Sequence, residues 1–582
     1  MKKNYFITIL IGLALFASGC ASITPKQKGE SAQTLYINGH VYTGNPAVPW
    51  ASALAVNNGL FAYVGDNQGA LAFKGRKTTV VDLKGQTVVP GLYDSHIHPI
   101  SAGEELLYKC NFPQTAPLKE ILSTVEAYAL NAEKGAWITG GRWSPGLLHR
   151  LDTAMLDKVS HGHPVVLHDF SNHNIWANTA AIKAAGITEA MTAPFGERVQ
   201  RDAKGKMTGV FIEAAADLIT GAIPPRSQKQ MDKALIRALE ELHQFGIIGI
   251  KDSYAGQPEL TAYNHMDAEG KLSAHVAAVI GWDKGGPVGE SLAEQKARIL
   301  RLRKMRSPHV RTDFAKISLD GIPPTKTAAM LEPYHPVSEG NTGALNVTEE
   351  DFTRDIKWLD AQGFTVKIHA VGDRAARICL NAFEAAQKAN GKSGRRHEVA
   401  HACLISPEDI PRFASLDAVP DISPAFVYPG PLFSGMVKLL GKERTDSYAP
   451  LADFIKLGIT PTYGTDWPVS PTVNPWISIE AFVTRENPYG KNPGQQAAPS
   501  QKISLEQALA MATINGARAQ GIDHLSGNIM EGKTADFIIL NQNIFSVAPS
   551  KISETQVLET VFEGRVVYQK SANAKGSRDG DR

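Results

Sequence analysis

His96 and His98, with Ile97 between them, lie in a stretch that follows an apolar run closed by Pro90-Gly91. In an extended chain alternate side chains share a face, so Asp94, His96 and His98 project together. Two imidazoles on one side of a strand end can grip a metal ion while the chain leads off into a loop. A bare His-x-His is more often a solvated turn, and His161-Gly162-His163 repeats the spacing. The pair therefore needs company elsewhere. Lys316 lies in Phe314-Ala315-Lys316-Ile317-Ser318-Leu319, His369 ends Val366-Lys367-Ile368-His369, and His401 ends Glu398-Val399-Ala400-His401. Asp466 follows Tyr463-Gly464-Thr465. Each of these groups falls at or near the carboxyl end of a candidate strand. His161 and His163 precede their strand and fail that test. His397 begins the strand that His401 finishes and reads as structural, while His243 in a helix and His309 in a loop read as surface residues.

The elements that would carry these residues follow a repeated order of helix, glycine and strand. Ser227 can cap a helix with Met231, Leu235, Leu239 and Leu242 on one face. Thr348 can cap another with Phe352, Ile356 and Leu359 inward. Amphipathic helices alternating with short apolar strands indicate a parallel sheet covered by helices. The candidate strands end near Asp94, Lys251, Ile280, Leu319, Ala370, Ala402, Ser423 and Gly464. Eight strands close an α/β (β/α)8 TIM barrel, whose chemistry sits at the carboxyl ends. A ninth run, Pro164-Val165-Val166-Leu167, falls between the first two and marks residues 104–225 as an insertion shaping the substrate site. The barrel is then expected over 90–103 and 226–524. Strands over 34–89, with hairpin signals at Asn38-Gly39 and Asn57-Asn58-Gly59, and over 525–570 can join into an accessory β-sandwich built from both ends of the chain. Residues 571–582 read as a disordered tail.

The 582 residues are 43% hydrophobic and 20% charged, enough to build a large core. Lys plus Arg (60) nearly cancels Asp plus Glu (58), which argues against a nucleic-acid partner. Residues 1–20 read as an export signal, with Lys2 and Lys3 before an apolar run too short for a typical spanning helix. The order Ala17-Ser18-Gly19-Cys20 resembles a bacterial lipoprotein signal, implying a lipid anchor on Cys20, a tether over 21–33 and the outer membrane as location. Cleavage without lipidation is the alternative. Cys110, Cys379 and Cys403 then read as small buried hydrophobes rather than a disulfide framework.

Taken in order, several segments resemble the amidohydrolase superfamily, and within it the YtcJ-like branch, amidohydrolase family 3. They are Gly91-Leu92-Tyr93-Asp94-Ser95-His96-Ile97-His98, Lys316-Ile317-Ser318-Leu319-Asp320-Gly321, Ile368-His369-Ala370-Val371-Gly372-Asp373, His397-Glu398-Val399-Ala400-His401 and Gly464-Thr465-Asp466-Trp467-Pro468-Val469. Asn172-His173-Asn174-Ile175-Trp176-Ala177-Asn178 and Gly532-Lys533-Thr534-Ala535-Asp536 extend the match. The resemblance implies His96, His98 and Asp466 on one metal ion, His369 and His401 on a second, and a carbamylated Lys316 between them. Zinc suits such ligands, one ion or two, although another divalent metal is possible. Metal-activated hydroxide would attack a carbonyl, with Asp466 as catalytic acid/base. Substrate contacts are expected from His173, Trp176, Asn178, Arg142 and Trp143, with plain packing the alternative for Trp176 and Asn178. Asp320 and Asp373 are candidates for orienting ligands. The activity implied is hydrolysis of a non-peptide carbon–nitrogen bond in a small amide or formamide. A deaminase, a cyclic amide or ester hydrolase, and a non-catalytic ligand-binding lipoprotein are the alternatives. A homo-oligomer is left open.

Overall fold

The computed structural model describes residues 31–169, 174–192, 196, 198–212, 215–282, 290–336, 340–424 and 427–571. Eight strands form one sheet in chain order: β1 (Leu92–Ile97), β2 (Ile247–Ala255), β3 (His275–Gly281), β4 (Val310–Ser318), β5 (Thr365–His369), β6 (Glu398–Ala400), β7 (Val419–Ile422) and β8 (Thr462–Tyr463). Every neighbouring pair from β1–β2 to β7–β8 is parallel. The two edges meet just beyond β8. There the Asp466 N–H donates to the His96 carbonyl at 2.7 Å and the His98 N–H to the Trp467 carbonyl at 2.9 Å. This approach explains glycine at 464, because a Cβ there would lie 2.3 Å from the His96 Cβ. The expected number and order of barrel strands hold.

Helices cover the outside of the sheet as their periodicity predicts. Gln228–Gln244 opens with a reciprocal cap between Ser227 and Gln230 and buries Met231, Leu235, Leu239 and Leu242. Glu349–Ala361, capped by Thr348, buries Phe352, Ile356 and Leu359. His243, expected at the surface, is instead on the buried face of its helix. Its Nε2 lies 2.9 Å from the Ser273 carbonyl, and burial pushes its pKa down to about 4. The period of that helix already turned position 243 inward beside Leu242. Pro99–Tyr108 packs on Gln228–Gln244, so this first helix runs through the 103/104 division expected from sequence.

The insertion has its own six-stranded sheet, ordered Val199–Arg201, Met207–Ile212, Asn174–Ala177, Val165–Asp169, Ile138–Trp143 and Lys109–Asn111. The accessory region consists of two sheets. In one, Thr87–Pro90 pairs antiparallel with Phe537–Leu540, which joins the two ends of the chain. The other contains Thr34–Ile37, Ala53–Asn57, Leu60–Gly65 and Thr79–Asp82. Tyr36, Phe61 and Phe537 pack between them, Tyr36 meeting Phe537 edge-on at 5.0 Å. Cys110, Cys379 and Cys403 are buried and not disulfide-bonded. No helix among the described residues is long and apolar enough to cross a membrane. Cys20 and the rest of 1–30 lie outside the described residues, as do residues 572–582.

Candidate metal centre

The end of β1 and the turn after β8 carry the core of the site. Ligand atoms of His96, His98 and Asp466 all lie within 4.8 Å of one another. Asp466 Oδ1 is 3.6 Å from His96 Nε2 and 3.3 Å from His98 Nε2. Asp94 serves the scaffold: its carboxylate accepts the His96 N–H at 3.1 Å and the Thr465 hydroxyl at 2.6 Å, which ties β1 to the turn carrying Asp466. His401 and Asp466 both adopt left-handed backbone, with φ of +61° and +60°. Such a conformation costs a non-glycine residue about 1–3 kcal/mol and persists only where the surroundings impose it.

His369 and His401 extend the cluster from β5 and from just past β6. Ring centroids are 4.6 Å apart for His96–His401 and 4.7 Å for His369–His401. Lys316, inward on β4 and 5% exposed, places Nζ 3.2 Å from His96 Nε2. All six residues expected at the metal site are thus brought to one end of the barrel.

Electrostatics suit them to bind a cation. Burial drives the inner imidazoles toward the neutral form, His96 well below the ordinary histidine value, His369 to about 3 and His401 to about 4. Neutral imidazole is the form that offers a lone pair to a metal. Burial alone would raise Asp466. The His98 hydrogen bond and the neighbouring His401, His98 and Lys316 outweigh it and hold the carboxyl at about 2. Its side chain remains 19% exposed, open to an incoming substrate.

Second nitrogens of several rings face polar partners, which turns their first nitrogens toward the centre. His96 Nδ1 is 3.0 Å from Asp421 Oδ2, and His401 Nδ1 is 2.7 Å from the Ser423 hydroxyl. His98 Nδ1 faces Asp252 at 3.9 Å. His369 differs: its Nε2 approaches the Gly321 carbonyl at 3.4 Å, leaving Nδ1. An imidazole–carboxylate donor set with its outer nitrogens anchored fits a divalent metal.

Asp421, Asp252 and Ser423 were not expected, whereas Asp320 and Asp373 were. Asp320 accepts backbone N–H groups from Ala329, Val371 and Gly372, and Asp373 accepts that of Leu331, so both hold loops rather than histidines. A signal for the missed groups was present. Lys367 sits between Val366 and Ile368, and Asp421 precedes Ile422. A charged residue facing inward on such a strand needs a buried partner.

The expected substrate residues divide. Trp143 and Trp176 are fully buried in the insertion, their indole N–H groups donating to the Leu167 and Asp152 carbonyls at 2.8 and 3.0 Å. Asn178 caps Thr179–Ala184 and also accepts the Val165 N–H and donates to the His163 carbonyl. In the structure these three pack and cap, and their polar atoms are used inside the insertion. Arg142 does reach the barrel mouth. Its guanidinium donates to the carbonyl of Pro468, two residues past Asp466, and lies 3.4 Å from Glu105. His173 lies outside the described residues.

Known proteins resemble this chain in sequence or fold. The Amidohydrolase family model matches residues 79–568. Putative amidohydrolase YtcJ of Bacillus subtilis (strain 168) is 29% identical over 558 residues, spanning 93% of this chain and 100% of that protein. N-substituted formamide deformylase of Arthrobacter pascens is 26% identical over 551 residues, spanning 93% and 99%. An uncharacterized metal-dependent hydrolase from Pyrococcus horikoshii OT3 has the same fold, with a TM-score of 0.73 at 23% identity over 89% of this chain and 99% of that one.

Proposed function

The chain belongs to the amidohydrolase family, and from that premise we propose that it hydrolyses a non-peptide carbon–nitrogen bond, of amide or formamide type, in a small substrate. The observation that carries this reading is the convergence of His96, His98 and Asp466 at the carboxyl ends of the strands. Similarity to a formamide deformylase over nearly the whole chain supports the bond type.

When bound, a divalent ion, zinc being the one this donor set suits, supplies an activated water and polarises the scissile carbonyl. His96 and His98 would hold it through Nε2, because Asp421 and Asp252 face their Nδ1 sides. Asp466 takes the proton released as water attacks and returns it to the leaving nitrogen. Its carboxylate is ionised at neutral pH, the state required of a proton acceptor. His369 and His401 would hold a second ion if one is bound, and Lys316, if its amine adds carbon dioxide with loss of a proton, would supply a further anionic ligand. Arg142 lines the approach from the insertion side. Residues 1–20 and Cys20 fit an exported lipoprotein of the bacterial outer membrane facing the periplasm, a reading that the mass of the mature amino terminus tests.

The test of function is metal stoichiometry of the purified protein together with a screen of amides and N-substituted formamides. Bound divalent metal with carboxylate or formate as product is the expected outcome. Failure to take up metal on reconstitution would sink the reading, and ammonia released from an amine-bearing ring would move it to deamination.

A further inference from the structure

Barrel interiors of this kind are ordinarily filled by branched apolar side chains. Beneath the histidines this one instead carries an ionic chain of wholly buried groups from β2, β5, β6 and β7. Lys251 Nζ donates to the Ala519 carbonyl at 2.8 Å and pairs with Glu398 Oε1. Glu398 Oε2 accepts Lys367 Nζ at 2.9 Å, and Lys367 Nζ reaches Asp421 Oδ2 at 2.8 Å. That same oxygen faces His96 Nδ1 at 3.0 Å, while Oδ1 accepts the Thr462 hydroxyl at 3.0 Å. Both partners of each ion pair are fully shielded from water.

Such a chain is poorly explained by stability. Removing charges from water costs several kcal/mol per ion, and apolar residues of similar volume commonly serve a core as well or better. What the chain does supply is direction. Two lysines and two carboxylates alternate in sign and end on one imidazole of the site. With Asp421 accepting from Nδ1, the His96 proton is fixed there and the Nε2 lone pair is turned toward Asp466 and Lys316. Asp421 can do this only if its own carboxylate is held in place, and Lys367 holds it, braced in turn by Glu398 and Lys251.

Resting on the metal-binding reading above, we propose that Lys367 is a positioning residue of the metal centre, acting through Asp421 to fix the tautomer and aim of His96. Lys367 touches neither substrate nor ion. Its effect is the retention of the ion held by His96, not proton transfer.

The test uses the full chain loaded with zinc, in wild type, Asp421→Asn, Lys367→Met and the double variant. Loss of zinc to a chromogenic chelator and the visible spectrum of the cobalt-substituted protein are followed beside thermal unfolding. Asp421→Asn, close in size and neutral, should release the ion about 10- to 100-fold faster than wild type, the effect usual for an outer partner of a metal ligand. Lys367→Met should do the same, and the double variant should be no worse than Asp421→Asn, because the two residues act in series. Zinc loss and a cobalt spectrum unchanged in folded Asp421→Asn would overturn the proposal. So would Lys367→Met that lowers the melting temperature alone, or additive effects in the double variant. If Lys367→Met does not fold, Lys367→Arg decides: retention near that of wild type supports the role of a cation here, and loss as fast as in Asp421→Asn contradicts it. Wild type unable to hold zinc would remove the metal reading itself, an outcome separate from these.

Discussion

At the carboxyl ends of the barrel strands, burial keeps His96, His369 and His401 neutral, with His369 near 3 and His401 near 4. At the amino ends the same side chain does the opposite work. His309, just before β4, lies between Glu563 at 3.1 Å and Asp267 at 2.6 Å, and these carboxylates raise it to about 9 against the pull of burial. His275, the first residue of β3, pairs with Asp536 at 2.8 Å. One end offers lone pairs; the other offers charge that binds the accessory region to the barrel floor. Residue type alone distinguishes neither role. Burial and the neighbouring Lys316 and Lys367 outweigh the carboxylate that faces His96, whereas two carboxylates make His309 a structural cation.

Four perturbations would sharpen or break this contrast. Asp466→Asn should lower kcat by about 10²- to 10⁴-fold while leaving thermal stability near wild type, since it removes the proposed proton carrier but not the fold. Full activity with metal retained would remove Asp466 from its role. At the opposite end Asp536→Asn should cost about 3 kcal/mol in denaturant unfolding, because it strands His275 and the Ser526, Thr534 and Glu563 donors around a buried group. Its kcat should not change; a large loss of activity without loss of stability would erase the distinction between the two ends.

The third perturbation is pH. His309 has a folded value of about 9 against roughly 6.5 unfolded, so its stabilisation is complete below the unfolded value and is lost as pH rises through about 9. Partial solvent screening limits the amount to about 1–2 kcal/mol. Unfolding measured from pH 6 to 10 should show this decline, and His309→Gln should flatten it; an equal slope in both would assign the decline elsewhere. The smallest effect belongs to the insertion. Asn178→Ala should cost about 1 kcal/mol through loss of a helix cap, with KM unaltered. A raised KM would restore Asn178 to the substrate.

Some of this was legible in the order of residues. Alternation along 92–98 and the helix–strand spacing placed His96, His98, His369, His401 and Asp466 at strand ends, where the structure has them. Reading polarity as exposure misled at His243, while Trp143, Trp176 and Asn178, expected at the substrate, use their polar atoms inside the insertion. Buried polar groups are tolerated wherever a partner is supplied, and here the partners come from distant segments: Ser273 for His243 and Asp152 for Trp176.

The division follows from physics. Strand and helix periods of 2 and 3.6 are properties of neighbouring residues, so the sequence by itself determined eight strands, their order and the end at which the histidines lie. Which groups face each other across the barrel depends on closure and register, which no local pattern contains. Only the tertiary structure could decide that Asp421, 325 residues from His96, lies against its ring, and that Lys367 stands behind it.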